Sequence, residues 1–153
     1  MEMDDWEVEI EYRIGGGGNR LGADGIGIWY AKEANFEGSV FGSKNQWTGL
    51  LVALDTFDNN GLGDNPAIVV MMNDGTRDYN SADDGMSLSI GQCQSNFRSR
   101  NSDTTAKIKI RYVGSERRLI VATDPYGQGQ YEECVAQGNI DLPKGYFLGV
   151  SAA

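Results

Sequence analysis

Histidine is absent from all 153 residues of the chain, and cysteine occurs only twice. Without an imidazole, the Ser-His-Asp and Cys-His arrangements of nucleophilic enzymes cannot be built. A zinc site normally needs four ligands from histidine or cysteine, and two cysteines cannot supply them alone. The missing histidine therefore excludes these enzyme classes and argues against structural zinc.

Basic residues are scarce as well, because 13 lysines and arginines stand against 22 acidic residues, for a formal net charge of −9. They form only small groups, so the chain lacks the positive stripe of a nucleic-acid-binding protein, and we expect no nucleic-acid partner. No apolar run approaches the roughly 20 residues that span a bilayer. The acidic first residues do not resemble a signal peptide. We expect no membrane contact from this segment itself.

Three prolines, 21 glycines and a series of short alternating segments are typical of an all-β domain. Residues 6–14 alternate between apolar and mostly acidic side chains, and residues 106–113 repeat the pattern with basic ones. Period two predicts strands with one buried and one solvated face, and oppositely charged faces could pair across a ladder. The predicted strands are 6–14, 25–30, 48–54, 67–72, 87–90, 106–113, 118–123 and 146–151. Hairpin loops are predicted at 73–75 and 113–117.

The run of four glycines at 15–18 invites comparison with a phosphate-binding loop. Such a loop requires Lys-Ser or Lys-Thr after its glycines and a helix N-terminus behind it. Asn19 and Arg20 follow instead, so we expect a flexible connection between two strands. With no internal repeat and no linker, the chain is predicted to form one two-sheet sandwich over residues 1–153.

An apolar strand at 49–54 leads directly into a loop rich in carboxylate and amide oxygens. Calcium takes six to eight oxygen ligands, including main-chain carbonyls and side-chain amides. Asp55, the carbonyl of Phe57 and the side chain of Asn59 could therefore bind it. The loop lacks the glycine and glutamate spacing of a helix-loop-helix calcium site, so another carboxylate must come from elsewhere, and the 83–85 segment is the candidate. Asx residues before glycine also simply make turns, which stays an alternative.

Three glutamates on one strand face form the best enzyme signal. Glu7, Glu9 and Glu11 are spaced about 7 Å apart, near the separation of carboxylate pairs in glycosidases. Nothing in this segment indicates a pocket that would raise the pKa of one of them above the others. A solvated outer face explains the pattern better, and a glycosidase remains the less favoured alternative.

Several segments together, in this order along the chain, resemble the L-type (legume-lectin-like) domain of the eukaryotic cargo-receptor lectins. The matching segments are 6–10, 22–30, 40–43, 54–59, 65–68 and 145–152, including Gly-Ala-Asp-Gly at 22–25 and Asp-x-Phe-x-Asn at 55–59. The segments 57–59 and 65–68 resemble the branch of the ER–Golgi intermediate compartment in particular. The resemblance implies a jelly-roll sandwich of two antiparallel sheets.

That resemblance also implies a function. Family members bind high-mannose N-glycans of cargo glycoproteins in a calcium-dependent manner during ER-to-Golgi transport, and they are not enzymes. It places the chain in the lumen of the endoplasmic reticulum, the intermediate compartment or the Golgi. It further implies a membrane-anchored full-length protein that can form homo-oligomers.

Calcium ligands follow from the same resemblance. The principal ion is expected to bind Asp55, the carbonyl of Phe57, Asn59 and Asp84. Some members bind a second ion, and the corresponding residues here are Asp58, Asn60, Asp64 and Asn65.

Sugar contacts are implied as well. Asp24 is expected to accept hydrogen bonds from mannose hydroxyls, and the amide of Asn59 to donate one. The Ala23–Asp24 peptide bond is expected to be cis. Ser81 stands where the family usually places a histidine, and its hydroxyl can still hydrogen-bond but has a shorter reach. Altered affinity or sugar preference is therefore expected.

On spacing alone, Cys93 and Cys134 could form a disulfide or remain two buried thiols, and the resemblance favours the disulfide.

Compared with the family, segments before Trp6 and after Ala153 are missing. We therefore expect a sandwich that is incomplete at both ends, with exposed sheet edges or gaps. Ser81 and the missing C-terminal loop also favour an alternative function, a degenerate lectin-fold interaction module that no longer binds sugar.

Overall fold

The computed structural model of the protein describes residues 4–15, 22–34, 37–98 and 104–153. These residues form two antiparallel sheets, which confirms the all-β prediction. The strands are β1 (Asp5–Tyr12), β2 (Gly25–Ala31), β3 (Thr48–Asp55), β4 (Ala67–Asp74), β5 (Ser89–Gln94), β6 (Ala106–Val113), β7 (Arg118–Asp124), β8 (Glu132–Gln137) and β9 (Phe147–Ala152). Short 3-10 helices span Ser81–Asp83, Met86–Leu88 and Gly114–Glu116. The predicted glycine-rich connection at 16–20 lies outside the described residues.

The smaller sheet has the strand order β1-β6-β7-β8. In its β1–β6 ladder, the acidic face of β1 pairs residue by residue with the basic face of β6, as the alternation of charge suggested. The pairs are Glu7 with Arg111, Glu9 with Lys109, and Glu11 with Lys107. Of these pairs, Glu9 and Lys109 approach to ion-pair distance, at 3.9 Å. Because an exposed ion pair contributes little to stability, the opposite charges mainly favour this register over one shifted by a residue.

The larger sheet has the order β5-β4-β3-β2-β9 and is covered on both faces. Its inner face packs on the smaller sheet, where Trp6 of β1 lies 5.1 Å from Tyr30 of β2 between ring centroids. Its outer face carries a second apolar cluster in which Trp29 contacts Trp47 at 5.3 Å. Burial on both faces explains why β3 and β4 are nearly continuous apolar runs without alternation.

Three sequence predictions were wrong in detail. The strand predicted at 87–90 begins only at Ser89, because Met86–Leu88 form a 3-10 helix, and it continues to Gln94. β8 was missed, because its residues Glu-Glu-Cys-Val-Ala-Gln do not alternate and its ladder with β7 shifts register at Val121. The tight hairpin predicted at 73–75 is not formed, since β4 continues through Asp74 and residues 75–88 connect it to β5. Asn73 starts this long connection by accepting a hydrogen bond from the Gly75 amide and donating one to the Arg77 carbonyl.

The two sheets are joined along one margin and open along the other. Cys93 of β5 and Cys134 of β8 form a disulfide, as the resemblance implied. At the opposite margin, β1 packs over β2, and among the described residues no strand covers β9. Leu148 and Val150 of β9 pair with Tyr30 and Ile28 and share their inner face, yet they are 41% and 50% exposed. An exposed sheet margin was expected, and it lies here.

None of the helices in the described part of the chain is long and apolar enough to cross a membrane.

Gly25 opens β2 in a conformation that other residues rarely adopt, with φ 139°, and a Cβ there would lie 1.9 Å from the carbonyl oxygen of Leu54. We predict that Gly25→Ala separates β2 from β3 and costs several kcal/mol, beyond the roughly 1–2 kcal/mol of a positive φ alone. Gly129→Ala is the matched control, because Gly129 also has a positive φ but open space around it. Urea unfolding of both variants tests this, and equal losses would contradict it.

Candidate functional site

The candidate site begins where β2 starts and β3 ends. These strands are antiparallel neighbours, and Gly25 pairs directly with Asp55. Asp24, which precedes β2, and Asp55, the last residue of β3, therefore come to the same edge of the larger sheet. The β2–β3 ladder thus brings together two residues, Gly25 and Asp55, that are 30 positions apart in the sequence.

The backbone of Asp24 is held from two sides. Thr56 donates its backbone amide to the Asp24 carbonyl at 3.1 Å, and its single hydroxyl hydrogen is shared between the carbonyls of Gly22, at 2.5 Å, and Asp24, at 3.1 Å. The Asp24 amide donates to the carbonyl of Ala153 at 2.7 Å. The Ala23–Asp24 peptide bond is cis, as expected. Because Thr56 follows Asp55 directly, the position of Asp24 is coupled to the end of β3.

Asp84 holds the loop that follows β3. It is 5% exposed and has a left-handed backbone (φ 52°) at the end of the Ser81–Asp83 helix. Its carboxylate accepts hydrogen bonds from the amides of Asn59, at 3.2 Å, and Asn60, at 3.1 Å. A carboxylate 25 residues away in sequence thus fixes the backbone of the loop.

The loop itself is a series of Asx turns. Asp58 accepts hydrogen bonds from the amides of Gly61 and Gly63, at 2.6 and 2.9 Å, while Asn60 accepts one from Leu62. The amide of Asn65 reaches back to the Asp55 carbonyl at 3.4 Å. The structure thereby places all four residues expected around a second ion, namely Asp58, Asn60, Asp64 and Asn65, in the loop beside Asp84.

Three carboxylates converge at this point. Asp58, Asp64 and Asp84 each place an oxygen so that these atoms all lie within 4.8 Å of one another. Asp84 belongs to the ligand set expected for the principal ion, and Asp58 and Asp64 belong to the other set. The two expected sets are therefore adjacent and not separate in space.

The electrostatics of this corner are unfavourable without a cation. Burial, with the nearby charges of Asp84 and Asp24 acting in the same direction, raises the pKa of Asp55 to about 7, although the hydrogen bond from the Phe57 amide opposes this rise. Burial also raises the pKa of Asp84. None of the ion pairs among the described residues includes these aspartates. Converging anionic and carbonyl oxygens are the donor set that suits a hard divalent cation, so the residues present fit calcium.

A pocket of about 250 Å³ lies beside this cluster. The residues expected to contact sugar all line it, namely Asp24, Asn59 and Ser81, and Asp55 joins them. Asn59 and Ser81 are exposed and so reachable by a ligand. Sequence reasoning missed the rest of the lining, which is Ser39, Val40, Phe41, Asn45 and Tyr79. Val40 and Phe41 belong to the 40–43 segment that resembles the lectin family, but the spacing of that segment alone carries no functional signal.

The glutamates considered for a glycosidase lie elsewhere. Glu7, Glu9 and Glu11 are exposed on the outer face of the smaller sheet, each opposite a basic residue of β6. Glu9 accepts a hydrogen bond from the hydroxyl of Tyr131 at 2.6 Å and lies 3.9 Å from the ammonium group of Lys109. Both contacts lie on an exposed sheet face, whereas a general acid needs an apolar pocket that raises its pKa.

Comparison with known proteins gives the family. Residues 1–153 match the legume-like lectin family over their whole length. The chain is a member of the legume-like lectin family. Protein ERGIC-53 of Homo sapiens is 39% identical over 151 residues, which cover 99% of this chain. The vesicular integral-membrane protein VIP36 of Canis lupus familiaris is 35% identical over 153 residues, covering 98% of it.

Solved structures agree with the family assignment. The exoplasmic/lumenal domain of VIP36 in its Ca²⁺-bound form has a TM-score of 0.90 at 34% identity, over 99% of this chain and 62% of that one. Its form with Ca²⁺ and Man3GlcNAc bound has a TM-score of 0.88, over 99% of this chain and 63% of that one. A legume lectin-like domain from Entamoeba histolytica shares the fold, with a TM-score of 0.70 at 24% identity over 99% of this chain and 65% of that one.

The chain spans only part of these relatives. The match covers 29% of ERGIC-53 and 42% of VIP36. What the longer proteins do as a whole therefore comes to this chain as a proposal.

The raised pKa of Asp55 predicts how the metal-free protein responds to pH. In the folded state the Asp55 carboxyl keeps its proton up to about pH 7, whereas in the unfolded state it has its ordinary pKa of 3.8. The free energy of unfolding should therefore fall as pH rises from about 4 to 7, because the folded state binds more protons in this range. The two pKa values allow a change of at most about 4 kcal/mol. Urea unfolding in chelator across this range measures it.

Asp55→Asn is the matched variant for this measurement. The amide oxygen can still accept the hydrogen bond from Phe57, which is 3.0 Å long in the parent, but the side chain no longer titrates. Its stability should therefore depend less on pH between 4 and 7. Parallel curves for the parent and the variant would contradict the assignment.

Proposed function

We propose that the chain is a calcium-dependent lectin domain, not an enzyme, that binds high-mannose N-glycans of cargo glycoproteins in ER-to-Golgi transport. The observation that carries this proposal is the pocket in which Asp24, Asn59 and Ser81 meet beside a cluster of aspartates. Structures of VIP36 with Ca²⁺ and Man3GlcNAc bound support it. Residues 1–153 would form one carbohydrate-recognition domain.

Calcium would be held by the residues at the end of β3. The principal ion would bind Asp55, the Phe57 carbonyl, Asn59 and Asp84, and a second ion would bind Asp58, Asn60, Asp64 and Asn65. When bound, calcium supplies the positive charge that these buried carboxylates otherwise lack.

Sugar recognition would follow from fixed polar groups. The carboxylate of Asp24 accepts hydrogen bonds from two hydroxyls, while Asn59 uses its oxygen for calcium and its nitrogen for the sugar. Thr56 positions Asp24 through the two hydrogen bonds to its carbonyl. A hydroxyl of the wrong stereochemistry would leave one of these groups unpaired, which would weaken binding by about 1–3 kcal/mol. Selectivity would therefore depend on the stereochemistry of the hydroxyls.

The cellular setting rests on the family. The protein would act in the lumen of the endoplasmic reticulum, the intermediate compartment or the Golgi. The disulfide between Cys93 and Cys134 supports an oxidising compartment of this kind. Its glycan partners would be carried by glycoproteins, and a membrane anchor and homo-oligomerisation would belong to the longer protein.

Mannobiose titration calorimetry tests the proposal. We expect heat of binding in calcium that disappears in chelator. Asp84→Asn should abolish calcium binding and with it the response to mannobiose. Asp84 is an expected ligand of the principal ion, and its carboxylate also lies beside those of Asp58 and Asp64 in the second set. Asp83→Asn is the matched control, because the neighbouring Asp83 carboxylate accepts a hydrogen bond from Ser87 and is not among the three converging ones.

Two results would contradict the proposal. One is mannobiose binding that is indifferent to chelator, and the other is equal calcium affinity in the Asp84 and Asp83 variants.

A second candidate function is an interaction module that keeps the fold and calcium but not the sugar. The specific observation that favours it is Ser81, which lines the pocket with a short, exposed side chain where the family usually has a histidine. In this case calcium would bind normally and mannobiose would give no heat.

Ser81→His tests whether residue 81 contacts the sugar. An imidazole at this position extends further into the pocket, so mannobiose affinity should rise by about threefold to tenfold in a lectin, as for one added hydrogen bond. Ser87→His serves as the control, because Ser87 is equally exposed on the next 3-10 helix and does not line the pocket. An unchanged affinity in Ser81→His, with binding in the parent, would show that residue 81 does not contact the sugar.

A further inference from the structure

One wall of the pocket has no role in the function proposed above. It consists of the connection between β2 and β3, with Ser39, Val40, Phe41 and Asn45, together with Tyr79 from the connection between β4 and β5. Val40 and Phe41 are buried in the outer apolar cluster and so form the base of the wall. Asn45 is exposed and offers a side-chain amide on this wall, and Ser39, also exposed, offers a hydroxyl.

The side-chain amide of Asn45 has a defined orientation. The side-chain oxygen Oδ1 accepts a hydrogen bond from the backbone amide of Tyr79 at 2.9 Å. The backbone carbonyl of Asn45 accepts a longer one from the same amide at 3.3 Å. Since the oxygen is used in this way, the nitrogen must be the free end of the side chain. Within the described residues, no partner is recorded for this nitrogen, which leaves two N–H donors for a ligand.

The surroundings of Asn45 are rigid enough to hold that orientation. The next residue, Gln46, donates a hydrogen bond to Asp78 at 2.7 Å, which ties the two connections together a second time. Trp47 is 1% exposed, and Phe41 packs edge-on against Tyr79 at 5.9 Å between ring centroids. Contacts on both sides of residue 45 therefore fix where its donors point. Binding of a ligand would then cost little conformational entropy at this side chain.

The chemistry of the pocket decides what such a donor can bind. Asp24 and Asp55 bring carboxyl oxygens to the same pocket, and the carboxylate of Asp84 belongs to the cluster beside it. A carboxylate oxygen accepts hydrogen bonds and the Asn45 nitrogen donates them, so a ligand group that meets both must be able to donate and to accept. A neutral hydroxyl suits both sides, because it can accept a hydrogen bond from Asn45 and donate another to a carboxylate.

We infer that Asn45 is a specificity-determining residue of the sugar site, whose Nδ2 donates to one hydroxyl of the bound hexose. This inference rests on the proposed lectin function and adds a contact from a connection to which that function assigns no role. It also gives the pocket a second side-chain amide donor beside Asn59, in a chain where Ser81 offers only a short hydroxyl.

Asn45→Asp tests the inference with minimal change in shape. The carboxylate keeps the acceptor for the Tyr79 amide but removes both donors, so mannobiose affinity at saturating calcium should fall about tenfold. Calcium affinity should not fall, because residue 45 is not a ligand and the added charge is negative. Asn139→Asp is the control for the charge itself, because Asn139 is exposed and lies outside the pocket lining.

A series of monodeoxymannosides supplies the readout that a merely structural role would not change. In the parent, one deoxy position should cost about tenfold in affinity through loss of the Asn45 contact. In Asn45→Asp, removal of that same hydroxyl should cost little further, while the other deoxy positions keep their full effects. This non-additivity identifies a direct contact.

The outcomes separate the two claims. Calcium-dependent mannobiose binding that is equal in the parent and in Asn45→Asp overturns the role of Asn45 and leaves the lectin function standing. Weaker binding by Asn45→Asp with strictly additive deoxy effects also overturns a direct contact. The absence of calcium-dependent binding in the parent and in every variant overturns both.

Discussion

Like charges buried at one edge of the larger sheet set the conditions for the rest of the site. Asp55 ends a strand that is covered on both faces, and Asp84 reaches the same corner with 5% of its surface exposed. Burial of carboxylates is unfavourable unless hydrogen bonds or a cation compensate them. Backbone amides of the following loop supply part of this compensation, and a divalent ion would supply the remainder. The position of Asp24 depends on this corner through Thr56.

Much of this arrangement could be predicted from the sequence because local patterns reflect burial. The strict alternation in β1 and β6 gave both strands, and their opposite charges anticipated the ladder between them. The oxygen-rich loop after β3 indicated a cation site by composition alone. The 83–85 segment, the sequence candidate for a further carboxylate, lies beside that loop through Asp84, although turn formation alone also explained its Asp-Gly sequence.

Other features could not be predicted, because they depend on contacts between distant segments. β8 carries two adjacent glutamates and a cysteine, and its place at a sheet edge relaxes the need for alternation. The pocket wall is built from two connections without regular structure, so Asn45 and Tyr79 share no sequence pattern with the residues they face. Their association arises from the outer apolar cluster, in which Phe41 packs and against which Tyr79 lies.

The covalent link between β5 and β8 has a consequence for how the sandwich can come apart. It ties the two sheets at one margin, while β9 extends past β1 at the other without a covering strand among the described residues. Separation of the layers must therefore start on the β1–β9 side, and water would first reach the core around Trp6 and Tyr30. The aspartate-rich corner includes the start of β2, the neighbour of β9, so fraying of that margin would disturb Asp24 before it disturbed Asp84.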